Sequence, residues 1–69
     1  MALYYVHTGT DNQGDHEVHR TGCSHMPNPE NRESLGNHDN CRTAVAEARR
    51  RGYRRANGCW FCSRDCHTS

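Results

Sequence analysis

Three cysteines and a histidine fall within the ten residues GCWFCSRDCH, Gly58 to His67. Thiols at this density bind a metal, close a disulfide or react. Cys59 and Cys62 are separated by two residues. A Cys-x-x-Cys pair lets two thiolates converge on one ion while the intervening backbone N–H groups donate to the sulfurs, and it forms half of a tetrahedral zinc site. Gly58 just before it suits a tight turn. The other half has to come from elsewhere, and the stretch HRTGC offers His19 and Cys23. An imidazole nitrogen with three thiolates makes a Cys₃His set, a common structural arrangement for one Zn²⁺ per chain. The redox reading has less behind it. Thioredoxin-like pairs follow a strand in a much larger βαβ fold, which nothing in this sequence supplies.

The remaining thiols and rings have competing readings. Cys66 follows Cys62 by four residues. If WFCSRDC is a helical turn the two share a face, and Cys66 becomes an alternative fourth ligand in place of His19. Cys41 reads as a small hydrophobe, although a place in the first turn of a helix lowers a thiol's pKa. A Cys41–Cys66 bridge is the alternative in oxidising surroundings. His67 reads as a solvated side chain, and His7, His16, His25 and His38 as surface histidines without ligand spacing. Trp60 and Phe61 are not both expected to point inward: one packs over the metal and the other is exposed as a binding contact.

Composition says why a metal is needed. Leu, Ile, Val and Phe together fill six of 69 positions, a level usual in disordered chains. A domain this short buries only about 60% of its unfolded surface even with a normal core. The backbone alone costs roughly 1–2 kcal/mol per residue to order, so a small fold of this composition needs a staple. A net charge of +1 argues against charge-driven disorder. Five cysteines would leave one over in a closed disulfide framework. No signal peptide or membrane span is legible, so the cytoplasm, where thiols stay reduced, is the expected compartment. Both points favour metal.

The elements around these residues follow from local pattern. ALYYVHT, Ala2 to Thr8, is aromatic and β-branched and reads as a strand. GTDNQGD is a turn or loop, and HEVHR, His16 to Arg20, is the partner strand of a hairpin. TGCSHMPNPENR reads as irregular loop and ESLG, Glu33 to Gly36, as a third short strand. DNCRTAVAEARRRG, Asp39 to Gly52, is the main helix. Asp39 or Asn40 caps it, Cys41, Ala44, Val45 and Ala48 form one apolar face, and Gly52 ends it. GYRRANG is a connector into the cysteine knuckle. The expected fold is a small α+β zinc-stapled domain over residues 1–69: β-hairpin, short third strand, one main helix, CxxC zinc knuckle, with 63–69 as a C-terminal tail.

In this order the elements resemble the metal-binding domain of the bacterial Ada DNA-repair protein and its small stand-alone relatives. The matching stretches are VHRTGCSHMPNPENRESL, the Ala-rich helix CRTAVAEARRRGY, and GCWFC, covering about residues 3–62. Carried over by position, the resemblance makes His19, Cys23, Cys59 and Cys62 the zinc ligands. In that family the first ligand is a cysteine whose zinc-bound thiolate accepts a methyl group from a DNA phosphotriester. His19 stands at that position here, and an imidazole is no comparable nucleophile. The resemblance therefore implies the fold and the zinc but not the acceptor chemistry.

All nine basic residues are arginine, which base composition explains more simply than selection for phosphate-binding forks. Five of them, Arg49, Arg50, Arg51, Arg54 and Arg55, fall within seven residues. They read either as a solvated helix end or as a phosphate-contacting patch, with Trp60 as a further contact. The expected function is a non-enzymatic structural zinc module that contacts another macromolecule, nucleic acid first and protein second. A zinc-thiolate methyl acceptor and a metal or redox sensor are the alternatives of other classes.

Overall fold

In the computed structural model, which describes residues 1–68, four strands and one helix form the chain. Strands β1 (Ala2–His7) and β2 (His16–Arg20) make the expected antiparallel hairpin, with Val6 opposite Val18 and Tyr5 opposite His19. Strand β3 (Arg32–His38) is longer than ESLG alone and pairs antiparallel with β1 on its other edge. Helix α1 (Cys41–Arg50) follows. The connector after it is not all loop: Ala56–Gly58 forms a strand, β4, parallel to β2, so the sheet runs β3-β1-β2-β4. Three residues without β-branched or aromatic side chains carry no local strand signal; the pairing with β2 makes this strand.

Alternation along β1 and β2 sends Tyr4, Val6 and Val18 to the face covered by α1, where they meet Leu35, Ala44, Val45, Ala48 and Ala56. The alanines on α1 let the helix approach the sheet closely. Asn40, not Asp39, is the cap: its side-chain oxygen accepts the Thr43 N–H at 3.2 Å. At the other end Gly52 adopts φ 106°. Its N–H returns to the Arg49 carbonyl and that of Tyr53 to the Ala48 carbonyl, a Schellman closure that needs the left-handed residue.

The C-terminal stretch is not a free tail. Arg64–Cys66 forms a 3₁₀ turn laid against β4. Ser63 is buried, His67 Nδ1–H donates to the Gly58 carbonyl at 3.1 Å, and the Thr68 N–H donates to Asn57 Oδ1 at 3.0 Å. His67 is therefore half-buried and hydrogen-bonded, not free in solvent. The close approach is why position 58 is glycine: a Cβ there would lie 2.5 Å from the Ser63 carbonyl oxygen and 2.6 Å from Cys66 Cβ. Cys66 is bonded to Cys41 in a disulfide with a Cα–Cα distance of 6.2 Å, and both half-cystines pack on the core. This corrects two readings, Cys66 as a fourth metal ligand and Cys41 as a free hydrophobe.

Candidate metal centre

One step beyond the Val18–Gly58 pair of the parallel ladder come His19 and Cys59, and the Cys59 N–H donates to the Val18 carbonyl at 2.9 Å. The β2–β4 pairing thus sets the histidine of one motif beside the first cysteine of the other. Each motif then turns to supply its second ligand. After β2 the Cys23 N–H closes a turn on the Arg20 carbonyl at 3.1 Å, and after Cys59 the Ser63 N–H returns to the Cys59 carbonyl at 2.8 Å. Val18 faces α1, so alternation places His19 on the opposite face of the sheet.

The outcome is that one donor atom from each of His19, Cys23, Cys59 and Cys62 lies within 4.8 Å of every other. The Cys23 and Cys59 sulfurs are 3.9 Å apart, against about 3.8 Å for two sulfurs each ~2.3 Å from a tetrahedral zinc. His19 and Cys59 are buried, at 1% and 3% exposure. The Arg20 N–H points at Cys62 Sγ from 3.3 Å, the kind of backbone donor that steadies a thiolate.

Two features show that these residues fit a cation. First, His19 Nδ1 is buried without a hydrogen-bond partner, and a buried polar atom of this kind is costly unless something accepts its lone pair. Second, the electrostatics suit neutral imidazole and metal-bound sulfur. Burial, reinforced by His7 and His25, pushes the His19 pKa down to about 4, so the ring is neutral at pH 7 and free to ligate. In the metal-free chain, burial and the neighbouring Cys62 push the Cys23 thiol up to about 12, and burial raises Cys59 too. Cys23 and Cys59 therefore stay protonated at pH 7 in the metal-free chain. A divalent ion reverses that balance and holds them as thiolates.

The four residues read as ligands are brought together, and the remaining assignments fare differently. Trp60 and Phe61 both stay exposed, at 57% and 56%, so neither packs over the cluster. Phe61 instead meets His25 edge-on at 4.9 Å, and Arg64 lies 5.1 Å over Trp60. His16 and His38 are built in: His16 Nδ1–H donates to the His7 carbonyl, and His38 Nε2–H to the Leu35 carbonyl. The arginine run is largely engaged. Arg51 bridges Glu47 and Glu33 at 2.7 and 2.8 Å, Arg50 holds Glu47 at 2.7 Å, and Arg55 holds Asp15 at 3.0 Å. Glu47 is driven down to about 2 by its two arginines, and Arg49 donates to the Ala56 carbonyl. Arg54 makes no ion pair among the described residues.

Beyond the four donors, Glu17 also reaches the cluster. Its Oε1 lies 3.5 Å from His19 Nε2. The available signal was the i, i+2 spacing of Glu17 and His19 on one strand face.

Among the described residues no helix is long and apolar enough to cross a membrane. Compared with protein-family models, curated proteins and solved structures, the chain matches none. What stands behind the site is therefore its geometry: a buried His/Cys₃ cluster able to hold a metal ion, in a small α+β domain with a four-stranded mixed sheet and one helix.

Proposed function

We propose that this protein is a structural zinc module, in which one Zn²⁺ held by His19, Cys23, Cys59 and Cys62 ties the β2 turn to the β4 knuckle. The observation that carries this reading is the convergence of those four donors within 4.8 Å in a chain whose core consists of only a few mostly small side chains. Zinc is favoured over other ions by the thiolate-rich, four-donor set. All four positions are protein ligands and none is left for a reacting water, so the ion is structural and the module is not an enzyme. The Ada resemblance supports the same ligand set, and with His19 in the acceptor position the protein does not take up a methyl group. The proposed setting is the cytoplasm, where ligand thiols stay reduced; the Cys41–Cys66 disulfide is the one feature that favours an oxidising setting.

The module presents a surface to a partner, nucleic acid first. What supports this is the knuckle edge more than the arginine run. Trp60 and Phe61 are exposed, and Arg20 and Arg64 form no ion pair among the described residues. With Phe61 these two arginines line an open groove of about 560 Å³ that also carries Asp39 and Asp65. Rings beside unpaired cations suit stacked bases of a single strand. The carboxylates that occupy Arg50, Arg51 and Arg55 favour the second reading, a protein partner, for the helix end.

Native mass spectrometry with and without chelator tests the metal. One zinc per chain, lost together with dispersed NMR signals on chelation, is expected. A chelated chain with unchanged dispersion would defeat the reading. Titrating single-stranded oligonucleotides against the fluorescence of Trp60 tests the partner. An unquenched signal at low salt moves the protein partner to first place.

A further inference from the structure

Glu17 and His19 project from the same face of β2, two residues apart, and their side chains approach each other at one end only: Glu17 Oε1 to His19 Nε2, 3.5 Å. The other ring nitrogen, Nδ1, is buried and has no hydrogen-bond partner. The two nitrogens thus have different surroundings. One faces a carboxylate and the other has no hydrogen-bond partner. A neutral imidazole offers one lone pair and one N–H. If the ion takes the lone pair of Nδ1, the proton is on Nε2 and needs an acceptor, and Glu17 is the acceptor in place. The converse assignment sets the Nε2 lone pair against a carboxylate and strands a buried Nδ1–H.

We propose that Glu17 is the positioning residue of the metal centre: it accepts the Nε2–H of His19, so that His19 ligates through Nδ1. The proposal rests on the metal-centre reading and goes one residue beyond it. At 3.5 Å the contact is longer than a hydrogen bond, and the Glu17 side chain is 32% exposed, so it has freedom to close the gap when the ion fixes the ring. Its carboxylate has no second ion-pair partner among the described residues. Carboxylates behind ligating histidines set ring orientation and raise ligand basicity, and losing one costs about 10–100-fold in metal affinity. Glu17 also lines a small cleft with Cys59 and Trp60.

The test uses the full chain loaded with NMR-active cadmium, with isotope-labelled histidine. Scalar coupling from the metal to Nδ1 of His19, with the proton on Nε2, is expected. Glu17→Ala should weaken zinc in chelator competition about tenfold or more, while Glu17→Gln, which keeps an oxygen acceptor, should recover most of the loss. Spectral dispersion of each zinc-loaded variant checks that β2 is intact. Coupling through Nε2, or wild-type affinity in Glu17→Ala, overturns the proposal and leaves the four-ligand site standing. A wild-type chain that takes up neither metal overturns the site as well.

Discussion

At the scale of single residues, burial keeps His19, Cys23 and Cys59 uncharged in the metal-free chain. Burial lowers His19 and raises Cys23 and Cys59, so the metal-free site carries thiols and a neutral ring at pH 7. Loading zinc should therefore release protons from Cys23 and Cys59, measurable as acid produced in weakly buffered solution. The sign of the pH dependence follows. The metal-free site binds protons that the loaded site does not, so affinity should fall as pH is lowered. Chelator competition at pH 6 and pH 8 checks the direction, and equal affinities would show that the thiols are already ionised. His19 also bears on chemistry. Incubation with a methyl phosphotriester in DNA should leave the intact mass unchanged. A gain of about 14 Da, the arithmetic of one CH₂ on a nucleophilic sulfur, would restore the acceptor reading.

At the scale of elements two attachments hold the helix and the C-terminal turn. Asn40 caps α1 through the Thr43 N–H, and Asn40→Ala should cost about 1 kcal/mol, read from the zinc-loaded chain by thermal or denaturant unfolding. The Cys41–Cys66 link spans 25 residues. A loop of that length contributes about 3.5 kcal/mol in the chain-entropy picture. Cys41→Ser with Cys66→Ser should therefore lower the midpoint of an oxidised sample without changing zinc stoichiometry. A double variant that loses the metal would mean that Cys66 serves the ion after all. Where the two thiols are reduced in the wild type, the pair of substitutions should have little effect, so a thiol count made alongside interprets the result. Gly58 is the more severe point. Its Cβ would collide with the Ser63 backbone and Cys66, and Gly58→Ala should displace the turn that carries Cys62.

For the molecule as a whole, the proposed function makes the ion the staple of a sheet with a small core. The apolar cluster contains Leu35, three valines, Tyr4 and alanines, and structural zinc supplies roughly 10–16 kcal/mol of apparent binding energy in small peptides. Cys59→Ala should abolish cooperative unfolding together with zinc binding; a variant that still melts cooperatively would mean that the core suffices. The charge distribution sets the expectation for nucleic acid. With Arg50, Arg51 and Arg55 on carboxylates, two or three phosphate contacts remain, for a log–log salt slope of roughly −2 to −3 on duplex DNA. Trp60→Ala should weaken single-strand binding by about 1–3 kcal/mol per stacked base if the ring is part of the surface. A steeper slope would mean that the helix-end ion pairs open on binding.

The ligand types, the hairpin and α1 were legible in the sequence because each is a local pattern. Thiols at metal spacing, an aromatic strand followed by turn residues, and an alanine face closed by Asn40 and Gly52 all report through neighbours within a few positions. Other features depended on contacts between distant segments. Strand β4 exists because Ala56, Asn57 and Gly58 pair with His16, Glu17 and Val18, and that pairing is what sets Cys59 beside His19. Which of His19 and Cys66 lies in the cluster turned on the C-terminal turn folding back onto α1, which takes Cys66 to Cys41. The exposure of both knuckle aromatics, and the carboxylates that occupy most of the arginine run, likewise come from side chains remote in sequence. A sequence carries the chemistry of a donor and its near neighbours. Which donors meet, which ring nitrogen faces a carboxylate and which charges are already paired are decided by packing, since long-range backbone pairing fixes those distances.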